Sequence, residues 1–545
     1  MESPASPSWF RSGRSGSILR GAGRWLRVAL EIAVLSGLIL GMRCANFPDV
    51  FVQGKIYFVD ADCYARMTRV RLVAEHPGVV VRQHDFENYP TGIRPHTTAP
   101  FDYLILLLAI LLRPWSAQAL DLAGALVSPV MALAAGWFLY WWTRRLGWLE
   151  RYLALLVYAL SAILGHGTSL GRPDQQSLLI VTLLVGLGAE WRLAEKPTRG
   201  WAMASGLSWG LALWVSLYEP LILLVALLVA RVFLERRSVW QGERRIGWWI
   251  LLGVLLLAAV VERRWPSWPM ASPFFGTWAA TIGELKRVSL TDPALIFWCG
   301  GLLLVSPLLL YLAWRARTLP RGFVLLVVFC FGLTLWQARW GYFLALLIVL
   351  TIPAQLAVVR GKWWQALLAL LAIFPLLQYW DRQLWPNDET RQARAAARLL
   401  AQQWRGVATA LVDAGRSPIM TPWWLAPAIT YWSGQPSVAG SSHESLPGIV
   451  ESARFYLSTS PAEAAQILRR HQVRWVLAGD GEAVGANSAA LLGVSVPPVA
   501  LCRQLELAPA KIPPHLQFVL RNGGAILYEV SDFSQKSEVI APTER

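Results

Sequence analysis

The stretch from Phe58 to Arg71 carries two carboxylates, Asp60 and Asp62, close behind the first apolar run of the chain. Three arginines, Arg66, Arg69 and Arg71, follow within it. Charged side chains next to a membrane are costly unless they are paired, so this pattern favours a metal or phosphate site. The alternative is a solvated helix whose charges pair with one another. The stretch alone leaves both interpretations open.

The composition excludes an ordinary soluble protein. The 545 residues are 55% hydrophobic and include 30 Trp, and the mean hydropathy is +0.42. Because the apolar residues occur in long uncharged runs, we expect a polytopic α-helical membrane protein. The net charge of +16 comes from Arg residues in short loops between these runs. Arg residues in such loops set the orientation of membrane spans and do not indicate a nucleic-acid partner. Of the five cysteines, only Cys44 and Cys63 are placed for a disulfide.

The basic residues predict a topology. Residues 1–25 are rich in Arg and precede an apolar anchor at about 26–43, so the N-terminus is expected in the cytoplasm. The run from Phe101 to Leu112 is too short to cross a bilayer and is expected to lie at its outer face. Placing the remaining basic loops inside gives roughly 11 to 13 spans. These spans are expected near residues 118–143, 150–165, 174–191, 201–217, 220–235, 247–262, 292–314, 321–337, 340–358 and 363–380.

Three regions follow from this topology. Residues 1–25 form the cytoplasmic N-terminus, and residues 26–380 form the transmembrane domain, with external loops at 44–117 and 263–291. Residues 381–545 are more polar and predict a soluble extracytoplasmic domain of mixed α/β structure. Within it, Ser460 and Glu463 indicate the start of a helix that runs to about residue 470. Residues 473–478 and 525–530 are predicted strands.

The predicted topology brings several charged residues to one side of the membrane. Asp60, Asp62, Asp174, Glu284 and Arg339 all fall at the outer face. Carboxylates of this kind can hold Mg²⁺ or Mn²⁺, the cation can neutralise a diphosphate leaving group, and an arginine adds a fixed positive charge. The set therefore indicates group transfer from an anionic donor carried by membrane lipid.

Six short motifs resemble those of the oligosaccharyltransferase catalytic subunits, membrane glycosyltransferases of the GT-C fold. In chain order they are Asp60-Ala61-Asp62-Cys63-Tyr64-Ala65-Arg66; Tyr89-Pro90-Thr91-Gly92 with Ala99-Pro100-Phe101-Asp102-Tyr103; Gly171-Arg172-Pro173-Asp174-Gln175-Gln176; Thr281-Ile282-Gly283-Glu284; Arg339-Trp340-Gly341-Tyr342-Phe343; and Pro422-Trp423-Trp424-Leu425-Ala426-Pro427. The last occupies the place of the family's Trp-Trp-Asp-Tyr-Gly motif. The resemblance extends from about residue 45 to 440.

The resemblance implies a role for each matching residue. Asp60, Asp174 and Glu284 are expected to hold the metal, Mn or Mg, and Asp60 and Glu284 also to polarise the acceptor. Arg339, helped by Arg263 or Arg264, is expected to bind the donor diphosphate. Trp423, Trp424, Thr281 and Glu284 are expected to bind the acceptor. The partners implied are a lipid-linked saccharide donor, an extracytoplasmic protein or other acceptor, membrane lipid, and accessory subunits.

Two positions depart from the family pattern. Gln176 stands where a second metal-binding side chain is usual, and an amide carbonyl is a poorer ligand for a hard cation. Asp62, His84, Asp85 or Glu87 are the candidates to replace it. Leu425 stands in place of the Asp that holds the hydroxyl of an Asn-x-Ser/Thr acceptor, and leucine cannot accept that hydrogen bond.

The favoured function is transfer of a glycan from a polyprenyl diphosphate to an extracytoplasmic acceptor, by a multi-pass protein of the inner membrane if the source is bacterial. The alternative is a GT-C enzyme that uses a polyprenyl-phosphate sugar with a lipid, polysaccharide or hydroxyl acceptor. A transporter or an inactive scaffold is less favoured, because the charges lie at the outer ends of spans and no inverted repeat is found.

Overall fold

The computed structural model describes residues 18–234, 240, 242–264, 272–507 and 512–531. Up to Leu384 this part of the chain is helical except for a short hairpin, β1 (Phe51–Val52) with β2 (Lys55–Ile56). The helices are α1 (Ile18–Arg43), α2 (Phe47–Val50), α3 (Ala61–Glu75), α4 (Ala99–Leu112), α5 (Ala119–Trp142), α6 (Trp148–Leu160), α7 (Ala162–Gly167), α8 (Gln176–Glu195), α9 (Arg199–Val215), α10 (Tyr218–Phe233), α11 (Arg244–Glu262), α12 (Phe275–Thr281), α13 (Ala294–Cys299), α14 (Ser306–Ala316), α15 (Arg321–Trp336), α16 (Gly341–Ala357) and α17 (Lys362–Leu384).

Six helical segments of the described chain are long and apolar enough to cross a membrane. They are Trp25–Arg43, Ala119–Trp142, Gln176–Glu195, Arg244–Glu262, Ala338–Ala357 and Lys362–Leu384. The helix α4 is apolar but has only 14 residues, as the sequence predicts. The count of roughly 11 to 13 spans stays a prediction, because the remaining candidates are shorter.

Two of the predicted spans are broken helices. The span at 150–165 is divided into α6 and α7 at Ser161, whose hydroxyl donates to the carbonyl of Trp298 (2.6 Å) and accepts from the amide of Leu164. The span at 292–314 is divided into α13, a 3₁₀ turn and α14 at Gly300, where φ is +77°. A Cβ at Gly300 would lie 2.4 Å from the carbonyl oxygen of Ala372 in α17, so this close approach requires glycine.

The helix α16 is the centre of the membrane domain. Every residue from Gly341 to Leu356 is buried, and the helix packs against α6, α8, α14 and α15. A helix that is apolar on all sides belongs inside a bundle, not at its surface. The segment that carries Arg339 leads directly into this helix and is thereby fixed to the core of the bundle.

After Leu384 the structure is mixed α/β. Its elements are α18 (Asp388–Thr409), β3 (Ile419–Met420), α19 (Ala426–Ser433), α20 (Leu446–Leu457), α21 (Pro461–Arg470), β4 (Trp475–Ala478), α22 (Gly481–Leu492), α23 (Leu501–Leu507), β5 (Leu516–Asn522) and β6 (Ala525–Val530). The sheet order is β3-β4-β6-β5, with β3 and β4 parallel and the other pairs antiparallel. The predicted helix at 461–470 is confirmed, with Ser460 as its N-cap, and both predicted strands are present.

Successive residues of each strand are buried on opposite faces of this sheet, as the two-residue period of a strand requires. Val476, Ala478 and Tyr528 pack against α20 to α23. Trp475 and Leu477 pack on the other face against α18 and α19. The sheet is thus covered by helices on both sides.

Two elements join this α/β unit to the segments at the start of α3 and at α12. The helix α19 contributes Ala428 and Tyr431 to an apolar cluster with Phe58 and Tyr64. Trp278 of α12 packs with residues of α19, α20 and α22. Side chains from both segments therefore pack against this unit.

All five cysteines are free. The disulfide considered between Cys44 and Cys63 is absent, and Cys63 is fully buried among apolar residues.

A buried ion-pair network connects α3 to α4. The carboxylate of Asp102, 1% exposed, accepts from Arg66 at 2.7 Å and from Arg69 at 2.6 Å. Arg66 also donates to the side chain of Gln175 (2.8 Å), and Arg69 contacts Nε2 of His84 (2.9 Å). Burying two guanidinium groups requires this carboxylate, since an unpaired charge in a protein interior is strongly unfavourable.

We therefore expect Asp102→Asn to lower the free energy of unfolding in detergent by about 3–5 kcal/mol, since both guanidinium groups would lose their buried counter-charge. Denaturant titration followed by tryptophan fluorescence measures the change. The control is Asp388→Asn, which removes the exposed pair of Asp388 with Arg391 and should cost less than about 1 kcal/mol. Equal effects of the two variants would show that Asp102 is not a structural anchor.

Candidate active site

Asp60 is held at the start of α3 as its N-cap. One carboxylate oxygen accepts from the amide of Cys63 (3.0 Å), and the other accepts from Arg172 (2.7 Å). Burial opposes the charge on Asp60, but Arg172 and the Cys63 amide outweigh it and hold the pKa of this carboxyl below its usual range. Asp60 is therefore an ionised group at neutral pH.

Asp62 lies in the first turn of α3 and its side chain is exposed to solvent. Loss of hydration next to the surrounding protein, and next the negative charges of Asp60 and Asp174, raise the pKa of Asp62 to about 7. A hydrogen bond with Ser441 opposes the rise. Carboxylates that hinder one another's ionisation in this way form a site of concentrated negative charge. Such a site fits a divalent cation with oxygen ligands.

Asp174 lies in the loop before α8. Gly171 of this loop has φ +73° and its amide donates to the carbonyl of Ala125. Gln176 is buried, and its Nε2 has no hydrogen-bond partner among the described residues. Of the residues considered as replacements for the missing ligand, His84 and Glu87 belong to the buried network and Asp85 accepts from Gln83. Asp62 is the one whose charge interacts with Asp60 and Asp174.

Glu284 lies in the 3₁₀ turn Gly283–Leu285 that follows α12. Its carboxylate accepts from the hydroxyl of Tyr342 (3.0 Å), and that hydroxyl also contacts Nδ1 of His166 (2.7 Å). Burial, and next the charge of Asp174, raise the pKa of Glu284 against the opposing effect of Arg339. The charge of Asp174 therefore affects the ionisation of Glu284.

Arg339 is paired with a residue that the sequence analysis did not single out. Its guanidinium lies 2.5 Å from the carboxylate of Glu219 at the start of α10, which is 1% exposed. Glu219 also accepts from the hydroxyl of Ser216 (2.6 Å). Arg339 itself is 29% exposed, so part of the guanidinium remains accessible to a ligand.

The two arginines at the end of α11 are placed differently from the expectation. Arg264 donates to the carbonyls of Pro95 and Thr97 and lies 3.5 Å from the carboxylate of Glu262. Its guanidinium therefore binds the backbone on either side of His96, and its role toward a diphosphate stays a prediction. Arg263 follows α11 with φ +50° and makes only a backbone hydrogen bond to the described residues.

The predicted metal ligands do not meet at ligand distance in this conformation. Asp60 is engaged by Arg172 and Glu284 by Tyr342. In the described ranges a single group of three metal-ligating side chains lies within 4.8 Å, and it consists of His96, His443 and Glu444. Sequence reasoning missed this group because two of its members follow the first by more than 340 positions.

The aromatic pair of the last motif is divided between two surfaces. The rings of Trp423 and Trp424 lie edge to face at 5.8 Å. Trp423 packs against an apolar cluster that includes Trp278, and Trp424 packs against the apolar cluster on the sheet. The hydroxyl of Thr281 donates to the carbonyl of Trp278 (2.7 Å). Ile282, which precedes the turn of Glu284, packs against the same cluster as Trp423.

Leu425 contributes to the apolar cluster between α18, α19 and the sheet. Three side chains that follow Leu425 in the sequence could replace the missing carboxylate, namely Thr430, Ser433 and His443. Thr430 is buried, and the hydroxyl of Ser433 is bonded to the carbonyl of Ile429. His443 is partly exposed. It is the remaining candidate of these three.

Comparison with known proteins identifies the fold. No family model and no curated protein matches the sequence. The structure is similar to the oligosaccharyltransferase AglB from Archaeoglobus fulgidus in complex with an inhibitory peptide and a dolichol-phosphate, with a TM-score of 0.65, 14% identity, and coverage of 95% of this chain and 75% of that chain. It is also similar to an oligosaccharyltransferase from the same organism in complex with Zn and sulfate, with a TM-score of 0.64, 15% identity, and coverage of 92% of this chain and 73% of that chain.

A third similar structure is that of ArnT from Cupriavidus metallidurans in the apo state. The TM-score is 0.55 at 14% identity, and the match covers 93% of this chain and 98% of that chain. These proteins are GT-C glycosyltransferases of membranes. The chain described above accordingly has the GT-C fold, as its resemblance to the oligosaccharyltransferase catalytic subunits implies.

Proposed function

We propose that this protein is a glycosyltransferase that moves a glycan from a polyprenyl-diphosphate carrier to an extracytoplasmic acceptor. The proposal is supported by the GT-C fold and by the charges of Asp60, Asp62, Asp174 and Glu284, which act on one another or on Arg172 and Arg339. A dolichol-phosphate and a peptide bound to AglB of the same fold support a lipid-linked donor and a protein acceptor.

The positively charged side chains of the site are suited to the charge that develops in the reaction. Breaking the bond between the anomeric carbon and the diphosphate oxygen places negative charge on the leaving group. Fixed positive groups lower the free energy of such a transition state most when they are already in position. Arg339 is held by Glu219, so its guanidinium does not have to be ordered when the donor binds.

The carboxylates are suited to a hard divalent cation for two reasons. Their donor atoms are oxygens, and a bound cation would relieve the repulsion between their negative charges. Asp60, Asp174 and Glu284 would hold Mn²⁺ or Mg²⁺, with Asp62 as the further carboxylate next to Asp60. Such a cation supplies charge neutralisation to a diphosphate. Arg172 and the cation compete for Asp60, so the salt bridge with Arg172 keeps that carboxylate compensated when no cation is bound.

Glu284 is suited to receive the proton of the acceptor. The raised pKa of Glu284 lies closer to neutral pH than the pKa of an ordinary glutamate does. A carboxylate with such a pKa is a better general base. The hydroxyl of Tyr342 connects it to His166. Trp423, which packs against the same apolar cluster as Ile282, would form the acceptor wall together with Thr281.

A second candidate is a GT-C transferase that uses a polyprenyl-phosphate sugar with a lipid, polysaccharide or hydroxyl acceptor. The observation in its favour is Leu425, which lies in an apolar cluster and gives a peptide hydroxyl no carboxylate to bind. Under either function the N-terminus is cytoplasmic, and residues 381–545 are extracytoplasmic.

The first prediction concerns the carboxylates. Asp60→Asn and Asp174→Asn should each lower glycan transfer by about 100-fold or more, because an amide binds a hard cation poorly. Transfer is measured with purified protein and a lipid-linked donor, with Asp388→Asn as an exposed control. Full activity in both variants, or activity undiminished by a chelator, would reject the metal assignment.

The second prediction concerns Arg339. Arg339→Leu alone leaves the buried Glu219 without its counter-charge and should destabilise the protein by up to about 3 kcal/mol. The variant Arg339→Leu with Glu219→Gln should regain that stability but still use the lipid-linked donor poorly. Unchanged apparent affinity of the double variant for the donor would show that Arg339 has only a structural role.

The third prediction concerns the acceptor. A charge-assisted hydrogen bond is typically worth about 1.5–3 kcal/mol, or roughly ten- to a hundredfold in affinity. Without a carboxylate at Leu425, peptides that differ only in Ser, Thr or Ala at the hydroxyl position should be used within about tenfold of one another. Strong preference for Ser or Thr would mean that another group, with His443 as the first to test, takes over this contact.

A further inference from the structure

Three metal-ligating side chains meet where the first external loop contacts the segment after the aromatic pair. His96 precedes α4, and His443 and Glu444 belong to the 3₁₀ turn His443–Ser445. Nδ1 of His96 lies 3.0 Å from Oε1 of Glu444, and Nε2 of His443 lies 3.4 Å from the same oxygen. The two imidazole rings are stacked with centroids 5.2 Å apart.

We propose that His96, His443 and Glu444 bind a transition-metal ion of the Zn²⁺ class, at a site distinct from the carboxylates of Asp60 and Asp174. Two imidazole nitrogens and one carboxylate oxygen are a ligand set that zinc uses, whereas Mg²⁺ prefers oxygen ligands alone. The inference does not depend on the proposed transferase function.

The distances fit this ion. With bonds of about 2.0–2.1 Å, neighbouring ligand atoms of a tetrahedral zinc site are about 3.3 Å apart. Two of the three separations here, 3.0 Å and 3.4 Å, are close to that value. The third pair of ligand atoms lies within 4.8 Å. Binding therefore requires the rearrangement of side chains and not of the fold.

Both halves of the site are held from outside. Arg264 donates to the carbonyls of Pro95 and Thr97 on either side of His96, and Glu262 accepts from the amide of Ala99. On the other half, Ser445 donates to the buried carboxylate of Glu87. These contacts hold in place the two stretches of backbone that carry the ligands. They also give Arg264 a role that its place in the sequence did not suggest.

Polar atoms next to the ligands remain without partners. The hydroxyl oxygens of Thr97 and Ser442, neighbours of His96 and His443 in the chain, are buried and form no hydrogen bond with any described residue. Buried hydroxyls normally find a partner. An ion with its bound water would supply one.

Three protein ligands leave one position of a tetrahedral ion open, as in zinc sites that bind a substrate or water. His96 is 44% exposed, so an ion can reach the site from solvent. The charge of His96 acts on Asp62 and the charge of Arg339 acts on His443. The ion would therefore lie beside the carboxylate site and connect the first external loop to the C-terminal α/β unit.

The metal content of the purified full-length protein tests the proposal. Protein stripped with a chelator is dialysed against Zn²⁺ in excess Mg²⁺, which occupies oxygen-only sites, and bound zinc is measured by mass spectrometry. Wild-type protein should retain about one zinc per chain. The variant His96→Ala with His443→Ala should retain less than a tenth of that amount, and Asp60→Asn with Asp174→Asn should retain all of it. His76→Ala removes an exposed histidine elsewhere and is the matched control.

A measurement on unaltered protein guards against loss of folding in the histidine variant. Co²⁺ in place of zinc should give wild-type protein the strong visible absorption of a tetrahedral site, and added Zn²⁺ should abolish it. Wild-type protein that retains no zinc, or a histidine variant that retains as much as wild type, would overturn the proposal and leave a salt bridge between His96 and Glu444. Glycan transfer is assayed separately, so failure of the transferase proposal gives a different result.

Discussion

The carboxylate of Asp102 is the interaction on which the arrangement of the site depends. It is buried between Arg66 and Arg69, and without it neither guanidinium could stay inside the protein. From this centre an uninterrupted series of side-chain contacts extends in both directions. The series is Gln175, Arg66, Asp102, Arg69, His84, Glu87 and Ser445.

The two ends of this series lie next to residues of the two proposed sites. Gln175 follows Asp174 directly, and Ser445 follows Glu444. A buried polar network in which every group is paired has few alternative arrangements. This network therefore fixes the distance between the loop that carries Asp174 and the turn that carries His443 and Glu444. The same network includes Arg66, which the motif around Asp60 contains. The second arginine of the network lies one helical turn farther along α3, on the same face.

The sequence predicted those features that depend on local pattern. The apolar runs, the helix after Ser460 and the two strands of the sheet follow from periodicity and capping residues. The breaks at Ser161 and Gly300 could not be predicted, because hydropathy averages over a window and a single hydroxyl or glycine hardly changes it. Each break depends on a contact with another helix, the carbonyls of Trp298 and Ala372 respectively.

The site was predicted in part for a related reason. Motif residues such as Asp60, Asp174 and Glu284 are identified by their neighbours in sequence, but their partners are not. Arg172 could have been found, since it lies inside a motif, whereas Glu219 is a single acidic residue at the head of an apolar helix. For Arg264 the position in the sequence suggested a diphosphate, and only the fold shows that the guanidinium binds two carbonyls of the first external loop.

The chemistry of the two ligand sets separates the ions that they would bind. The carboxylates of Asp60, Asp62 and Asp174 offer oxygen alone, and one of them is already compensated by Arg172, so an ion there must compete with a guanidinium. His96 and His443 offer nitrogen, for which zinc has a higher affinity than Mg²⁺ has. A protein with both sets would therefore hold a transition metal at the set that contains nitrogen and Mg²⁺ or Mn²⁺ at the set that contains oxygen alone. This selectivity would come from the donor atoms, and it would require no difference in the shape of the two sites.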